Sequence, residues 1–310
     1  MQAKPKFVEK YTRLLGSKKN YEKFNTCNFT LLRRSIRVNT LKISVKELVK
    51  RIEKNWTLEP IKWCKEGFYM SNPNRRDIGN TIEYQLGYYY VQEAASMLPP
   101  LVLDPKPGET VLDMCAAPGS KTTQMAAMMK NKGVIVANEP KGKRIASLGI
   151  NVQRCGATNI VFSIMPGQRM KGQKFDKILV DAPCSGTGAI RKSLKTLQIW
   201  NPTGCRSLAG IQKQLLSVAY ACLKPGGIVV YSTCSLEPEE DEEVIDSFLN
   251  FHPDAKLLPI NLPIKKGKPV LEYGLKKYNP EIKKVLRIWP QDNDTEGFFV
   301  AKIQKSSQKP

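Results

Sequence analysis

The sequence predicts an α/β fold in which a parallel sheet carries helices on both faces and a small α+β domain precedes it. Three observations carry that prediction. From residue 108 onward, runs of β-branched and apolar residues alternate with stretches of helical periodicity, the pattern of repeated strand–helix units. Several of these runs stop abruptly in small and polar residues, which suits loops at the carboxyl rim of an open sheet, where ligands bind. Charge is uneven: of a net +21 over 310 residues, residues 1–75 supply +12 from 18 basic and 6 acidic side chains. The chain is long enough for two cores, so a basic module over 1–75 and a main domain over 76–310 are expected.

Taken in order, residues 1–30 set Phe7, Val8, Tyr11, Leu14 and Leu15 among basic positions, which predicts a short amphipathic helix lying on the body. Ile36–Leu41 reads as a strand, and Ser44 caps a helix over Val45–Ile52. Trp56–Met70 alternates as one or two strands. This βαβ-like unit is either a grip for nucleic acid or a cap over the main sheet. After a turn-rich junction at 72–80, Gly87–Gln92 reads as a strand running into a short helix, Glu93–Leu98, which Pro99-Pro100 ends.

In the main domain, strands read at Thr110–Cys115, Val134–Asn138, Asn159–Ile164, Lys177–Ala182, Gly227–Cys234 and Phe298–Ile303. Helices read at Ser120–Met129, Lys141–Cys155, Leu208–Leu223 and Glu239–Phe251. Residues 261–284 carry seven lysines and read as a loop excursion, solvated or touching a nucleic-acid backbone.

The charge surplus points to a polyanionic partner, nucleic acid first and an acidic membrane surface second. No apolar run approaches the length that spans a bilayer. Eight cysteines include no C-x-x-C pair and His252 is the single histidine. Zinc of the usual spacing is therefore not expected, nor any other metal, and a Ser-His-Asp triad could draw only on His252. With no secretory h-region at the start, the thiols are expected to be reduced and the protein cytosolic and monomeric.

Three strand-end motifs carry chemistry. Asp113–Thr123 (DMCAAPGSKTT) lies between the first sheet strand and its helix, where small residues admit a ligand and a helix N-terminus favours negative charge. It is neither G-x-x-x-x-G-K-[ST] nor G-x-G-x-x-G, so a carboxylate-bearing nucleoside such as S-adenosylmethionine suits it better than a phosphate or a dinucleotide. Glu139 ends the next strand, where an acid holds ribose hydroxyls. Asp181–Gly188 (DAPCSGTG) brings a carboxylate and the Cys184 thiol to the same rim, and Gly227–Ser235 brings Cys234. A lone thiol at a strand end is often a small buried residue and inert. Two thiols and an acid on neighbouring strand ends instead fit cytosine. Carbon-5 of that base attacks a methyl donor only after a thiolate adds at carbon-6, and a second group must then help remove the carbon-5 proton.

Together DMCAAPGSKTT, LVDAPCSGTG and VYSTCSLEPEED resemble the Nop/Sun family of RNA cytosine-5 methyltransferases, as do IRVNTLK, YYVQEAASM and TEGFFVAKI. The resemblance covers residues from about 36 to 304. It implies a Rossmann-like S-adenosylmethionine methyltransferase domain with Cys234 as nucleophile, Cys184 assisting proton removal and product release, and Asp181 holding the base beside Lys121. It places the cofactor on Cys115, Ala116, Ala117, Pro118, Gly119, Ser120, Lys121, Glu139, Arg144 and Asp181. Arg33, Arg34, Arg37 and Asn39 of the basic module are the expected RNA contacts. Short members of the family commonly act on tRNA; rRNA, or a non-catalytic role as an RNA-binding assembly factor, are the alternatives. Two departures stand out: Gly119-Ser120-Lys121 where the family usually reads G-G-K, and no acid over Ser163–Gly167, where members often place one against adenine.

Overall fold

The computed structural model describes residues 3–74 and 77–307. The boundary expected between 75 and 76 lies outside the described residues, as does the end of the tail.

The amino-terminal segment forms two helices rather than one, α1 (Pro5–Leu15) and α2 (Lys18–Asn28). Gly16 stops the first in the left-handed region at φ 76°, and the Ser17 hydroxyl caps the second by accepting from the Asn20 amide. Phe7 and Tyr11 stack on each other at 4.1 Å, and with Phe24 they pack on Trp200 and Trp289 of the main domain. Next come β1 (Ser35–Val38), α3 (Val45–Ile52), β2 (Thr57–Ile61), β3 (Cys64–Ser71), α4 (Ile82–Gln85) and β4 (Tyr89–Val91). A reciprocal Ser44–Glu47 capping box starts α3 where the sequence places it.

The unit is not βαβ-like. Its sheet order is β2-β3-β1-β4 and every pairing is antiparallel. Because β4 pairs with β1, Ile36 opposite Val91, the small sheet continues well past residue 75. It also shares its core with the main domain: Ile61, Trp63 and Tyr69 pack with Ala94, Leu98 and Leu148, and the Trp63 indole donates to the Ala94 carbonyl at 2.9 Å.

After a 3₁₀ turn at Ala95–Met97, Pro99 and Pro100 open helix α5 (Leu98–Leu103) instead of ending one. First-turn amides have no intrahelical acceptor, so a residue lacking N–H loses nothing there. The main sheet then builds as β5 (Thr110–Asp113), α6 (Ser120–Met128), β6 (Val134–Asn138), α7 (Gly142–Cys155), β7 (Ile160–Ser163) and β8 (Phe175–Asp181). It continues through α8 (Lys195–Ile199), α9 (Pro202–Ala221), β9 (Leu223–Thr233) and α10 (Glu242–Phe251). The end of the chain adds β10 (Lys256–Leu258), the hairpin β11 (Glu272–Tyr273) and β12 (Lys276–Lys277), β13 (Leu286–Ile288), α11 (Pro290–Asn293) and β14 (Phe298–Gln304).

Strand order is β10-β14-β9-β8-β5-β6-β7, with β9 through β7 parallel and β14 antiparallel beside β9. Strand β9 starts at Leu223, before the expected Gly227, and its pairing with β8 shifts register there. Among the described residues, no helix is long and apolar enough to cross a membrane.

The acidic run after Cys234 is buried rather than solvated. Glu237, Glu240, Asp241 and Glu242 are each inaccessible, and α10 begins only at Glu242. Arg287, equally buried, donates to Glu242 at 2.8 Å and to Asp241 at 3.2 Å. Burial pulls its guanidinium down, but the two carboxylates outweigh that and hold it above its ordinary value. Helix α1 supplies further partners, Tyr11 donating to Glu237 at 2.7 Å and Lys10 pairing with Glu239 at 2.8 Å.

Candidate active site

The strand order sets the site. Strands β6, β5, β8 and β9 are neighbours and parallel, so their carboxyl ends present, side by side, Glu139, the 114–121 loop, Asp181 with Cys184, and Cys234. At one end the two sulfurs stand 3.2 Å apart, and both cysteines are partly exposed. The hydrogen bond to the Cys234 sulfur, helped by burial, pushes the Cys184 thiol well above the ordinary cysteine value. Cys184 therefore keeps its proton and can donate to Cys234.

Two glycines and a hydroxyl hold this turn. The Gly188 amide donates to the Cys234 carbonyl at 2.9 Å, and a Cβ on Gly188 would lie 2.2 Å from the Gly297 carbonyl. The Thr187 hydroxyl accepts from the Leu236 amide at 2.9 Å. Beneath it, Glu240 accepts from the Ser185 amide at 2.9 Å and from Gln212 at 3.0 Å.

Beside the sulfurs, Asp181 accepts from the Lys121 ammonium at 2.7 Å and from the Ser232 hydroxyl at 2.7 Å. Lys121 comes from the first turn of α6 and reaches across the rim, where it also donates to the Ser96 hydroxyl at 3.0 Å. Burial disfavours its charge, but Asp181 more than compensates and the ammonium titrates above the ordinary lysine value. The carboxylate is thus oriented by two donors while its side chain stays 28% exposed toward the cleft.

At the other end, Glu139 is buried with one oxygen accepting from the Lys141 amide at 3.0 Å and the other paired with Arg144 at 3.0 Å. Arg144 also donates to the Ala117 carbonyl at 2.6 Å, so it clamps the Cys115–Ser120 loop to the end of β6. Asp113 lies under this loop, bonded to the Thr122 hydroxyl at 2.7 Å with its second oxygen buried and unpartnered. Burial pushes its carboxyl up to about 7. Burial likewise raises the Cys115 thiol, with the Asp113 charge adding to it.

The structure thus brings Cys234, Cys184, Asp181 and Lys121 together, and gathers Cys115, Ala116, Ala117, Pro118, Gly119, Ser120, Glu139 and Arg144 along the same rim. Two expected RNA contacts are corrected. Arg37 is buried, donating to the Ser120 carbonyl at 2.7 Å, to Thr123 at 3.0 Å and to Gln92, while Asn39 donates to the Gly87 and Cys155 carbonyls. Both tie the small sheet to the main domain, and neither side chain faces solvent. Arg34 is exposed; Arg33 is half-buried over the Tyr69 ring and paired with Glu59. His252 packs on Tyr220 and Phe248, away from the rim.

Sequence reasoning missed Ser232, Ser96 and Glu240. Ser232 lies at the end of β9, two residues before Cys234, so its place at the rim was legible. Ser96 and Glu240 gave no local signal, since their partners are remote in the chain.

A Rossmann-like sheet whose rim sets a thiol pair beside a lysine–carboxylate pair is that of a methyltransferase acting on a nucleobase. Comparison with known proteins agrees. The model described as 16S rRNA methyltransferase RsmB/F matches residues 100–304, and the N-terminal domain of 16S rRNA methyltransferase RsmF matches residues 4–94. The chain belongs to this RsmB/F family of RNA methyltransferases, as its Nop/Sun resemblance implies.

One relative, the tRNA (cytosine(49)-C(5))-methyltransferase of Pyrococcus abyssi, is 47% identical over 97% of this chain and 96% of its own length. Ribosomal RNA small subunit methyltransferase F of Vibrio parahaemolyticus is 42% identical over 96% of this chain, which spans 62% of that longer protein. Among solved structures, a methyltransferase homologue from Pyrococcus horikoshii superposes with TM-score 0.82 at 39% identity, over 97% of this chain and 99% of that one. NSun6 from the same organism, solved with SFG, shares the fold with TM-score 0.84 at 24% identity, over 98% of this chain and 99% of its own.

Proposed function

We propose that this protein methylates carbon-5 of a cytosine in tRNA, with S-adenosylmethionine as donor, and that it works as a cytosolic monomer. The observation that carries the reading is the Cys234–Cys184 pair beside an Asp181 carboxylate already oriented by Lys121 and Ser232. The tRNA assignment rests on the Pyrococcus abyssi relative, matched over nearly its whole length; the rRNA relatives carry further sequence that this chain does not span.

The donor set fits the cofactor. A buried carboxylate at the end of β6 suits a ribose diol, and the loop of small residues entering α6 suits a methionine carboxylate. Glu139, the 115–120 loop and Asp181 would hold S-adenosylmethionine there, and it would supply an electrophilic methyl group.

The chain's own residues do the rest. A cytosine taken out of its stack presents its edge to the rim. Asp181, held by Lys121 and Ser232, accepts from the exocyclic amine, and the Lys121 ammonium offsets charge that builds in the ring. Cys234 gives its thiol proton to solvent and adds as the thiolate to carbon-6, moving the ring π-electrons toward carbon-5 and N3. After transfer Cys184 gives its thiol proton to the departing Cys234 sulfur and takes the carbon-5 proton in its place, so the carbon–sulfur bond breaks, the carbon-5 C–H electrons restore the ring double bond, and both thiols end protonated. Within this reading, residues 1–94 form the RNA-holding module, with Arg33 and Arg34 as its arginine contacts.

Tritiated methyl donor and purified protein, with bulk tRNA and rRNA in parallel, test it. Label in 5-methylcytosine of tRNA is expected. Label confined to rRNA would move the substrate, and silence with both would favour the RNA-binding factor.

A further inference from the structure

Two carboxyl groups stand behind the site with no role in the chemistry above. Glu93 belongs to YYVQEAASM and Glu296 to TEGFFVAKI, motifs 203 residues apart. One oxygen of Glu93 accepts from the Ala95 amide at 2.7 Å and the Ser96 amide at 3.1 Å. Its other oxygen accepts from the Glu296 amide at 3.1 Å. Ser96 in turn holds Lys121, and Gly297, next to Glu296, donates to the Gly188 carbonyl at 2.9 Å. Gly188 donates to the Cys234 carbonyl. An unbroken path of hydrogen bonds and adjacent residues thus runs from Lys121 through Glu93 to the turn bearing Cys234. The Glu296 side chain is buried and its Oε1 has no partner.

We propose that the Glu93 carboxylate, bridging the Ala95 and Ser96 amides to the Glu296 amide, is a clasp that positions Lys121 and the Cys234 turn relative to each other, making Glu93 a positioning residue for the methyl transfer proposed above. A buried acid with an unsatisfied oxygen is costly unless something is gained. Here the gain is a fixed spacing between the lysine that orients Asp181 and the turn that carries the nucleophile. Glu93 follows β4 of the small sheet and Glu296 precedes β14 of the main sheet, so the bond between them joins the two sheets beside the rim.

Four charged groups bear on Glu296: Glu93, Lys192, Lys121 and Arg191. Burial, with the Glu93 charge adding, pushes its carboxyl up to about 8, and burial raises Glu93 as well. Raising the pH through about 8 ionises Glu296 and sets a second buried charge beside the Glu93 carboxylate, which loosens the clasp.

The test uses the full chain in single-turnover methylation of a tRNA transcript. Glu93→Gln replaces one acceptor oxygen with an amide facing N–H donors. It should lower the methylation rate at least tenfold while the RNA concentration giving half-maximal rate moves less than about twofold. For Glu296→Gln, the ratio of the rate at pH 9 to that at pH 7 should rise by up to about tenfold over wild type, since a group near 8 changes its neutral fraction by about that factor. A Glu93→Gln rate within twofold of wild type, or identical alkaline profiles for wild type and Glu296→Gln, would overturn the clasp. If wild type labels no RNA, the functional reading falls, and hydrogen exchange then decides the clasp by itself. Faster exchange at the Glu296 and Gly297 amides in Glu93→Gln supports it; unchanged exchange sinks it.

Discussion

Replacing Lys121 by Met probes the centre of the site. The methionine keeps most of the volume and removes the ammonium, which lies 2.7 Å from Asp181 and 3.0 Å from Ser96. At that separation and an effective dielectric near 20, the charge–charge interaction is about 6 kcal/mol. Desolvation of a nearly buried ammonium offsets much of it, and Asp181 is 28% exposed, so water screens the remainder. A net of roughly 2–3 kcal/mol is a reasonable reading. Expressed fully in the transition state, that corresponds to a rate loss of about 30- to 150-fold. Lys121 titrates above the ordinary lysine value, so its charge is fully present below that ordinary value and is lost only as pH rises through the raised one. The loss on mutation should therefore be nearly constant between pH 6 and 9. Single-turnover methylation at saturating RNA and donor measures it, with thermal unfolding run alongside. A folded Lys121→Met protein within about threefold of the wild-type rate would show that Asp181 needs no cation.

Further outcomes follow from the same geometry. Cys234→Ala should abolish transfer, whereas Cys184→Ala should trap a protein–RNA adduct that survives a denaturing gel; exchanged behaviour would reverse the two roles. Arg34→Ala should leave the melting temperature unchanged while weakening RNA binding and shrinking its salt slope by about one, as for one phosphate contact. Arg37→Met should instead lower stability by about 2–4 kcal/mol, because it unties the small sheet from α6; an unchanged melting curve would contradict the tether. Arg287→Met leaves Asp241 and Glu242 buried without a cation and should cost about 3–5 kcal/mol. In that variant the folded state favours neutral carboxyls and binds more protons than the unfolded chain, so its stability falls as pH rises. Melting temperatures at pH 5 and pH 8 should show a larger deficit at pH 8.

Sequence alone determined what short-range physics controls. β-Branched apolar runs and the Ser44–Glu47 capping box located six of the eight strands of the main sheet and helix α3 to within a few residues, while the short edge strands β10 and β13 went unread. The strand-end position of Cys115, Asp181 and Cys234 was legible because small polar residues interrupt apolar runs there. Tertiary structure decided the rest. Arg37 and Arg34 look alike in a basic segment, yet one is sealed against α6 and the other faces water, a difference set by how the small sheet packs. The acids of LEPEED read as a helix start, and only the fold shows that Arg287, Tyr11 and Trp200, all remote in sequence, hold them inside. Pro99-Pro100 read as a stop because proline ends helices as readily as it opens them, and only the preceding turn tells which. Strand order, finally, is a long-range property. It is what sets β5, β8 and β9 side by side, and so turns three separate motifs into one rim.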